Sequence, residues 1–252
     1  MLVPTFRARS VPELLDAAFQ VLRARYAQIV TAALVISLPA VVLGLVLPPD
    51  AAALGTIVHN FSLVYAGAAA VVIVSDAYLG RERSLGAVLR AVFSRFGSIW
   101  RVAFMKNVMI GLGLLLLVVP GVIAFIMSFA MVPAVMIEGA STGDSFDRSR
   151  ALARGHWGRI LGAQLLGFVL MYLAYFGALF GIGLLFGMVG GLSEAAAELL
   201  SQALLTALYP LPATVTVLLY YDVRIRKEAF DLQMLIDAVP AIETAAAPPV
   251  PA

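Results

Sequence analysis

The chain has 252 residues, of which 62% are hydrophobic and only 13% are charged. Ordinary soluble domains carry about 25% charged residues, so this composition excludes that class and predicts an integral membrane protein. The absence of cysteine excludes disulfide bonds and thiolate metal sites. The net charge of +2 does not predict nucleic acid as a partner, because the basic residues follow the pattern of a multi-pass membrane protein.

The chain begins with a polar stretch, 1–9, which we expect to lie in the cytoplasm. Ser10 and Glu13 then form the pattern of a capping box and open an amphipathic helix that reaches Tyr26. The first membrane span is predicted at residues 27–47. A cleaved signal peptide is the alternative, but its charged region would have to be an amphipathic helix of about 25 residues, which is not typical of such peptides.

The second span is predicted at residues 54–79 and carries polar residues at both ends. His59 and Asn60 lie near the outer end, and Asp76 lies near the inner end. A histidine at a membrane boundary is most simply a solvated residue. A proton-relay or substrate-binding role is the alternative interpretation.

The central unit, residues 84–138, combines an amphipathic helix with a predicted hairpin. Ser84 opens the helix, and its apolar residues recur at helical spacing while arginines occupy the other face. Such a helix is suited to lie at the lipid headgroup level, with Trp100 marking the point where the chain enters the membrane. Spans at 101–119 and 122–137 are predicted to turn at Pro120-Gly121.

A third unit begins at Ser141 and places Trp157 sixteen positions later, the spacing that also joins Ser10 to Tyr26 and Ser84 to Trp100. Spans follow at 158–188 and 195–221, and prolines at 210 and 212 predict a kink in the last one. Glycines four residues apart in the fifth span favour close packing within the chain over a dimer face.

These elements predict an all-α membrane fold with six transmembrane helices, arranged as three repeats of an interfacial helix plus a hairpin. The repeats cover about 10–83, 84–140 and 141–237, and a disordered Pro/Ala tail occupies 238–252. All seventeen Lys and Arg residues then fall on one side, whereas Asp50, Glu194 and Glu198 fall on the other. This asymmetry places both termini in the cytoplasm.

Polar residues inside the spans are candidates for function because they are costly in lipid unless they are paired or reach water. We predict an ion pair between Asp76 and Lys106, with unpaired snorkelling of Lys106 to the surface as the alternative. His59, Asn60 and Asn107 are the other candidate intramembrane polar residues.

The basic residues on the predicted cytoplasmic side form what we call the collar: Arg90, Arg95, Arg101, Arg148, Arg150, Arg154, Arg224, Arg226 and Lys227. Ordinary positive-inside anchoring accounts for such residues. The functional alternatives are a clasp, in which acidic residues after the last span pair with Arg148, Arg150 or Arg154, and a docking site for anionic lipid or a cytoplasmic partner.

No catalytic pattern occurs. The two histidines, His59 and His156, are predicted at opposite membrane faces, and the sequence contains no nucleophile elbow, zinc-protease motif or phosphate-binding loop. We therefore predict no enzyme activity, no cofactor and no metal.

The last span ends in a distinctive polar run, and two shorter segments, Ser149-Arg150 and Gly155-His156-Trp157, are also distinctive. The run consists of Tyr220, Tyr221, Asp222, Arg224, Arg226, Lys227 and Glu228. With these residues, 10–235 resembles a bacterial multi-pass family related to the membrane domain found beside some glycerophosphoryl diester phosphodiesterases. Ala229 stands where that family more often has glycine. The resemblance implies a bacterial plasma-membrane location. It does not imply hydrolysis, because the hydrolase is a separate soluble domain.

Two functions follow as expectations. The first is a membrane scaffold that presents the collar to anionic lipids or to a cytoplasmic or membrane protein partner. The second is a transporter or flippase-like carrier, which requires the intramembrane polar residues to converge on a cavity near the middle of the membrane.

Overall fold

The computed structural model describes residues 9–48, 51–188 and 191–230. Helices are the only regular secondary structure within these ranges. In chain order they are α1 (Val11–Val46), α2 (Ala52–Tyr78), α3 (Leu85–Phe93), α4 (Phe96–Leu116), α5 (Val118–Met127), α6 (Met131–Pro133) with a π-helical turn (Ala134–Glu138), α7 (Thr142–Ala153), α8 (Trp157–Gly187), α9 (Glu194–Leu208) and α10 (Pro210–Glu228).

Six stretches of the described chain are long and apolar enough to cross a membrane. They are Val11–Val46, Ala53–Tyr78, Phe96–Leu116, Val118–Glu138, Trp157–Gly187 and Glu194–Glu228. Large apolar side chains cover much of the surface of α4 and α8, as expected for helices that face lipid. The prediction of an all-α protein with six membrane-spanning helices is confirmed at this level.

The centre of the bundle is formed by α2 and α10. Every residue from 217 to 223 in α10 is buried, so this helix is enclosed on all sides. α10 packs against α1, α2 and α8, and α1 packs along α2. The most apolar part of α2 is 61% buried, whereas that of α8 is only 11% buried. The central unit of the sequence is therefore not the centre of the fold.

The three serines predicted to open amphipathic helices all cap helices. The side chains of Ser10, Ser84 and Ser141 accept hydrogen bonds from backbone N–H groups three residues later, and Ser10 completes the predicted capping box with Glu13. After Ser84 and Ser141 the helices are short and separate, but α1 continues without a break beyond Tyr26. The chain between 10 and 47 is therefore one long helix rather than two elements.

The predicted hairpin in the central unit is present, but its turn is not at Pro120-Gly121. The chain reverses at Leu117, which is extended, and Pro120 lies in the first turn of α5. Proline is tolerated there because N–H groups in the first turn have no helical partner. Gly121 instead permits close contact, since a Cβ on Gly113 would lie 2.7 Å from its Cα.

The prediction that the glycines of the fifth span pack against another helix of the chain is wrong for most of them. A Cβ added at Gly158, Gly162, Gly177, Gly181, Gly183 or Gly187 would meet no atom of the described chain within 4 Å. The close approach of α8 to α10 occurs at Gly167, where an added Cβ would lie 3.3 Å from Val215. In the last span, α9 and α10 are separated at Tyr209, directly before Pro210, but the backbone of Tyr209 stays helical, so the kink stays a prediction.

Changing Ala229 to glycine should stabilise the protein. Ala229 ends α10 in the left-handed conformation with φ of 49°. This conformation costs a non-glycine residue about 1–2 kcal/mol, which the greater chain entropy of glycine partly offsets. We expect Ala229→Gly to raise the free energy of unfolding by about 0.5–1 kcal/mol, measured by thermal unfolding in detergent.

The matched control is Ala203→Gly, in the middle of α9, where alanine is already in its preferred helical conformation. This substitution should lower stability by about 1 kcal/mol. A loss of stability in both variants would contradict the interpretation that Ala229 is strained by its left-handed backbone conformation.

Candidate functional site

The basic segments of the chain meet at one end of the bundle. Arg25 in α1 forms an ion pair of 3.1 Å with Glu82, which follows α2. Arg95, at the start of α4, donates to the carbonyl oxygens of Val135 and Met136, at 2.8 Å for Met136. Cations are favourable at such a helix end because its carbonyl groups carry partial negative charge.

The first ionic cluster joins α7 to the end of α10 and to Glu138. Arg148 Nη2 lies 2.8 Å from Glu138 Oε1 and 2.9 Å from Glu228 Oε2. Arg224 Nε donates to Glu228 at 3.0 Å, and the Tyr220 hydroxyl donates to Glu138. Two cations and two anions therefore neutralise one another where three segments meet, and Tyr220 is wholly buried beneath them.

Arg148 is the member of this cluster that lies outside the spans. Hydrogen bonds to Glu228 and Glu138 raise the pKa of its guanidinium above the ordinary value, since both carboxylates stabilise the charged form. Arg148 is therefore a permanent cation at any physiological pH. It works as a structural bridge between α7 and α10.

The second ionic cluster surrounds Asp222, which is only 3% exposed. Its carboxylate accepts from the Arg9 backbone N–H at 2.7 Å, from Arg226 Nε at 2.9 Å and from Arg159 Nη1 at 3.2 Å. Arg159 and Arg226 also donate to the Arg9 carbonyl oxygen at 2.7 and 2.8 Å. This cluster ties the residue before α1 to the beginning of α8 and the end of α10.

The contact between Arg148 and Glu228 matches the clasp predicted from the sequence, although Arg150 and Arg154 take no part in it. Of the other acidic residues after the last span, Asp222 pairs with Arg159 and Arg226, and Asp231 lies outside the described residues, as do Asp50 and the predicted tail. Sequence reasoning missed Glu138, Tyr220 and Arg159 as members of the clusters. Glu138 could have been noticed as a lone carboxylate at the end of an apolar span.

The collar is therefore divided into two groups. The engaged members bind carboxylates or backbone carbonyl oxygens within the protein: Arg95, Arg148, Arg224, Arg226 and Lys227. Arg90, Arg150 and Arg154 are exposed and make no ion pair with any described residue. Arg101 is also exposed and donates to the hydroxyl groups of Thr142 and Ser98, each at 3.3 Å.

The predicted ion pair between Asp76 and Lys106 does not form. Asp76 instead accepts from Arg83 Nε at 2.7 Å and Arg83 Nη2 at 3.3 Å. Arg83 follows Asp76 by seven positions and returns to it after α2 ends, so a bidentate partner is available locally. Within the described ranges, Lys106 makes neither an ion pair nor a hydrogen bond.

Lys106 lines a cavity of about 130 Å³ between α2, α4, α8 and the residues around the start of α10. The polar side chains on its walls are Lys106, Asn107, Gln164, Tyr209 and Thr216. Phe129, Phe168 and smaller apolar side chains complete the lining. Lys106 and Asn107 thus share one interhelical cavity, as the carrier hypothesis requires of them.

His59 and Asn60, the other candidate intramembrane polar residues, do not line the Lys106 cavity. His59 is 1% exposed, with Nε2 at 3.5 Å from the Thr206 hydroxyl of α9, so the expectation that it is solvated is wrong. Its Nδ1 has no hydrogen-bond partner among the described residues. Asn60 is exposed on the surface of α2. The packing of α9 over the N-terminal half of α2 buries the histidine.

No protein-family model matches this chain, and searches of curated proteins and of solved structures return no similar protein. Among the described residues, no group of three or more His, Asp or Glu side chains is placed to hold a metal ion.

Removing the charge of Glu138 should destabilise the protein. Glu138→Gln leaves Arg148 and Arg224 with one carboxylate between them, and charge-assisted hydrogen bonds contribute about 1.5–3 kcal/mol each. We expect the free energy of unfolding to fall by about 1–3 kcal/mol, measured by thermal unfolding in detergent.

Glu82→Gln is the matched control because Glu82 pairs with Arg25 while its side chain is 83% exposed, compared with 23% for Glu138. Solvent screening should limit its effect to about 0.5 kcal/mol. Equal effects of the two substitutions would show that the cluster around Glu138 is no stronger than a surface pair.

Proposed function

We propose that this chain is a non-enzymatic, multi-pass protein of a bacterial plasma membrane that presents exposed collar arginines to anionic lipid headgroups or to a partner protein. The single observation that carries the proposal is the division of the collar. Cations that hold the fold together are neutralised inside the protein, whereas Arg90, Arg150 and Arg154 are exposed without ion pairs among the described residues.

Arg90 lies on α3, Arg150 lies on α7, and Arg154 is the C-cap residue that ends α7. A cation close to an anionic membrane surface contributes about 1 kcal/mol to binding. Three such cations at this end of the bundle therefore favour acidic lipids around it. An acidic protein surface is attracted by the same charges, and arginine also binds carboxylates in a bidentate manner.

The convergence of the basic segments supports an orientation with this end and both termini in the cytoplasm. The family resemblance in the last span favours the bacterial plasma membrane. We further propose that the segments beginning at Ser10, Ser84 and Ser141 are copies of one unit. The shared serine caps support this proposal, whereas the unbroken α1 marks a departure in the first copy.

A carrier for a small or lipid substrate is the second candidate function. The cavity lined by Lys106, Asn107 and Gln164 favours it, because unpaired polar side chains within a membrane bundle commonly mark a substrate site. The position of His59 and Asn60 away from that cavity weighs against a continuous polar path.

Removing the positive charges of the exposed collar arginines should reduce the binding of anionic lipids or of a partner protein. A photo-crosslinking amino acid at Asp147, exposed on α7 three residues before Arg150, would sample the surface in native membranes. Replacing Arg90, Arg150 and Arg154 by glutamine should lower the yield of crosslinked anionic lipid or partner several-fold, measured by mass spectrometry.

The matched control replaces the same three residues by lysine. Anionic lipids respond mainly to charge, so lysine should preserve their capture, whereas a bidentate protein contact should be lost with both lysine and glutamine. Capture that persists in the glutamine variant would refute the proposed role of the exposed collar.

The proposed orientation can be tested with single cysteines because the chain contains none. Ala195 is exposed near the start of α9, and Gly143 is exposed near the start of α7 with open space around a Cβ. A membrane-impermeant maleimide should label Ala195→Cys on intact bacterial cells and should label Gly143→Cys only after the membrane is permeabilised. The reverse pattern would place the collar outside the cell.

A further inference from the structure

The ammonium group of Lys106 is a cation that the described residues leave without a counter-ion. Lys106 makes no ion pair or hydrogen bond within the described ranges, and no carboxylate lines its cavity. Asp76, the nearest candidate by sequence reasoning, is held by Arg83. A charged side chain within a membrane bundle is costly without a partner, so this site favours a bound anion.

The cavity walls also carry hydrogen-bond donors that have no protein acceptor. Gln164 is only 3% exposed and lines the cavity, yet its amide makes no hydrogen bond to any described residue. The Asn107 amide and the Tyr209 hydroxyl on the same walls likewise have no acceptor in the described chain. An oxyanion can accept from these groups and from Lys106 together, because it offers several lone pairs.

The size and the depth of the Lys106 cavity fit a lipid headgroup rather than a single water molecule. A cavity of about 130 Å³ far exceeds the roughly 10–15 Å³ that one water needs. Lys106 follows Trp100 by six residues, and Gln164 follows Trp157 by seven, which places both about 9–11 Å along their helices from the aromatic boundary residues. The polar groups therefore lie at matching depths just inside the membrane.

Two of the helices that line the cavity, α4 and α8, carry exposed apolar side chains. Asn107 lines the cavity and is also exposed on the surface of α4, so the lining reaches the surface of this helix. Phe104 on α4 and Leu165 on α8, each adjacent in sequence to a lining residue, are 56% and 55% exposed. Apolar surfaces beside a polar cavity suit the acyl chains of a lipid and not a free ion.

From these observations we propose that the Lys106 cavity binds the acidic headgroup of a membrane lipid that enters sideways between α4 and α8. Lys106 supplies the charge that selects an anion, and Gln164 and Asn107 donate hydrogen bonds to the headgroup oxygens. This site is separate from the exposed collar and does not depend on the function proposed for it.

The test uses the full chain in detergent with added phosphatidylglycerol, followed by a high-salt wash and native mass spectrometry. High salt screens exposed charges such as the collar but affects an enclosed site much less. We expect one phosphatidylglycerol to remain bound to the wild type and to Lys106→Arg. Lys106→Met should bind it at least about tenfold more weakly, and Gln164→Leu several-fold more weakly.

Two controls separate this site from other effects. The variant with Arg90, Arg150 and Arg154 changed to glutamine should keep the retained lipid, even if it loses lipids that the wash removes. Lys106→Met should have a Tm without added lipid equal to or above that of the wild type, since an uncompensated charge is removed, but should lose the Tm increase that phosphatidylglycerol causes.

Three outcomes would overturn the proposal. Retention of phosphatidylglycerol by Lys106→Met would show that the cation does not select the ligand. Equal retention of phosphatidylcholine by the wild type would show that headgroup charge is irrelevant. Displacement of the retained lipid by excess inorganic phosphate would assign the cavity to a water-soluble oxyanion instead.

Discussion

A carboxylate in a buried stretch of helix has to be neutralised inside the protein, and residues 217–223 of α10, which include Asp222, impose this requirement on the bundle. The last two turns of α10 carry Asp222, Arg224, Arg226 and Glu228, and Asp222 is almost fully buried. Arginines from α7 and α8, the carboxylate of Glu138 and the backbone of Arg9 complete the two clusters. Four other parts of the structure are therefore oriented by the charges at the end of one helix.

This requirement explains why a basic collar that looks uniform in sequence has two roles. Arginines whose side chains reach the end of α10 or the π-helical turn are used to hold the fold, and their charges are cancelled locally. Arg150 lies on the same helix as Arg148 and Arg154 caps that helix, but both stay exposed. A charge count along the chain cannot separate these roles, because the separation depends on which helix lies opposite.

The polar residues between the membrane-spanning helices show the same division: some have a partner in the protein and others have none among the described residues. Asp76 has a local partner in Arg83, so Lys106 on the adjacent helix is left facing an interhelical cavity with Gln164. His59 is covered by α9 and takes no part in that cavity. The polar residues of the spans thus belong to separate environments: Lys106, Asn107, Gln164, Tyr209 and Thr216 line one cavity, whereas Asp76 and His59 lie outside it.

The sequence by itself determined the helices, because apolar runs of membrane-spanning length, serine caps and prolines act on neighbouring residues. Such local signals account for the six spans, the caps at Ser10, Ser84 and Ser141, and the helix boundary before Pro210. Only the tertiary structure decided which residues form ion pairs and which helices pack together. Asp76 pairs with Arg83 and not Lys106, and most glycines of α8 other than Gly167 face open space, because both outcomes depend on which helices become neighbours. That choice arises from long-range packing around α10, which spacing along a single chain does not specify.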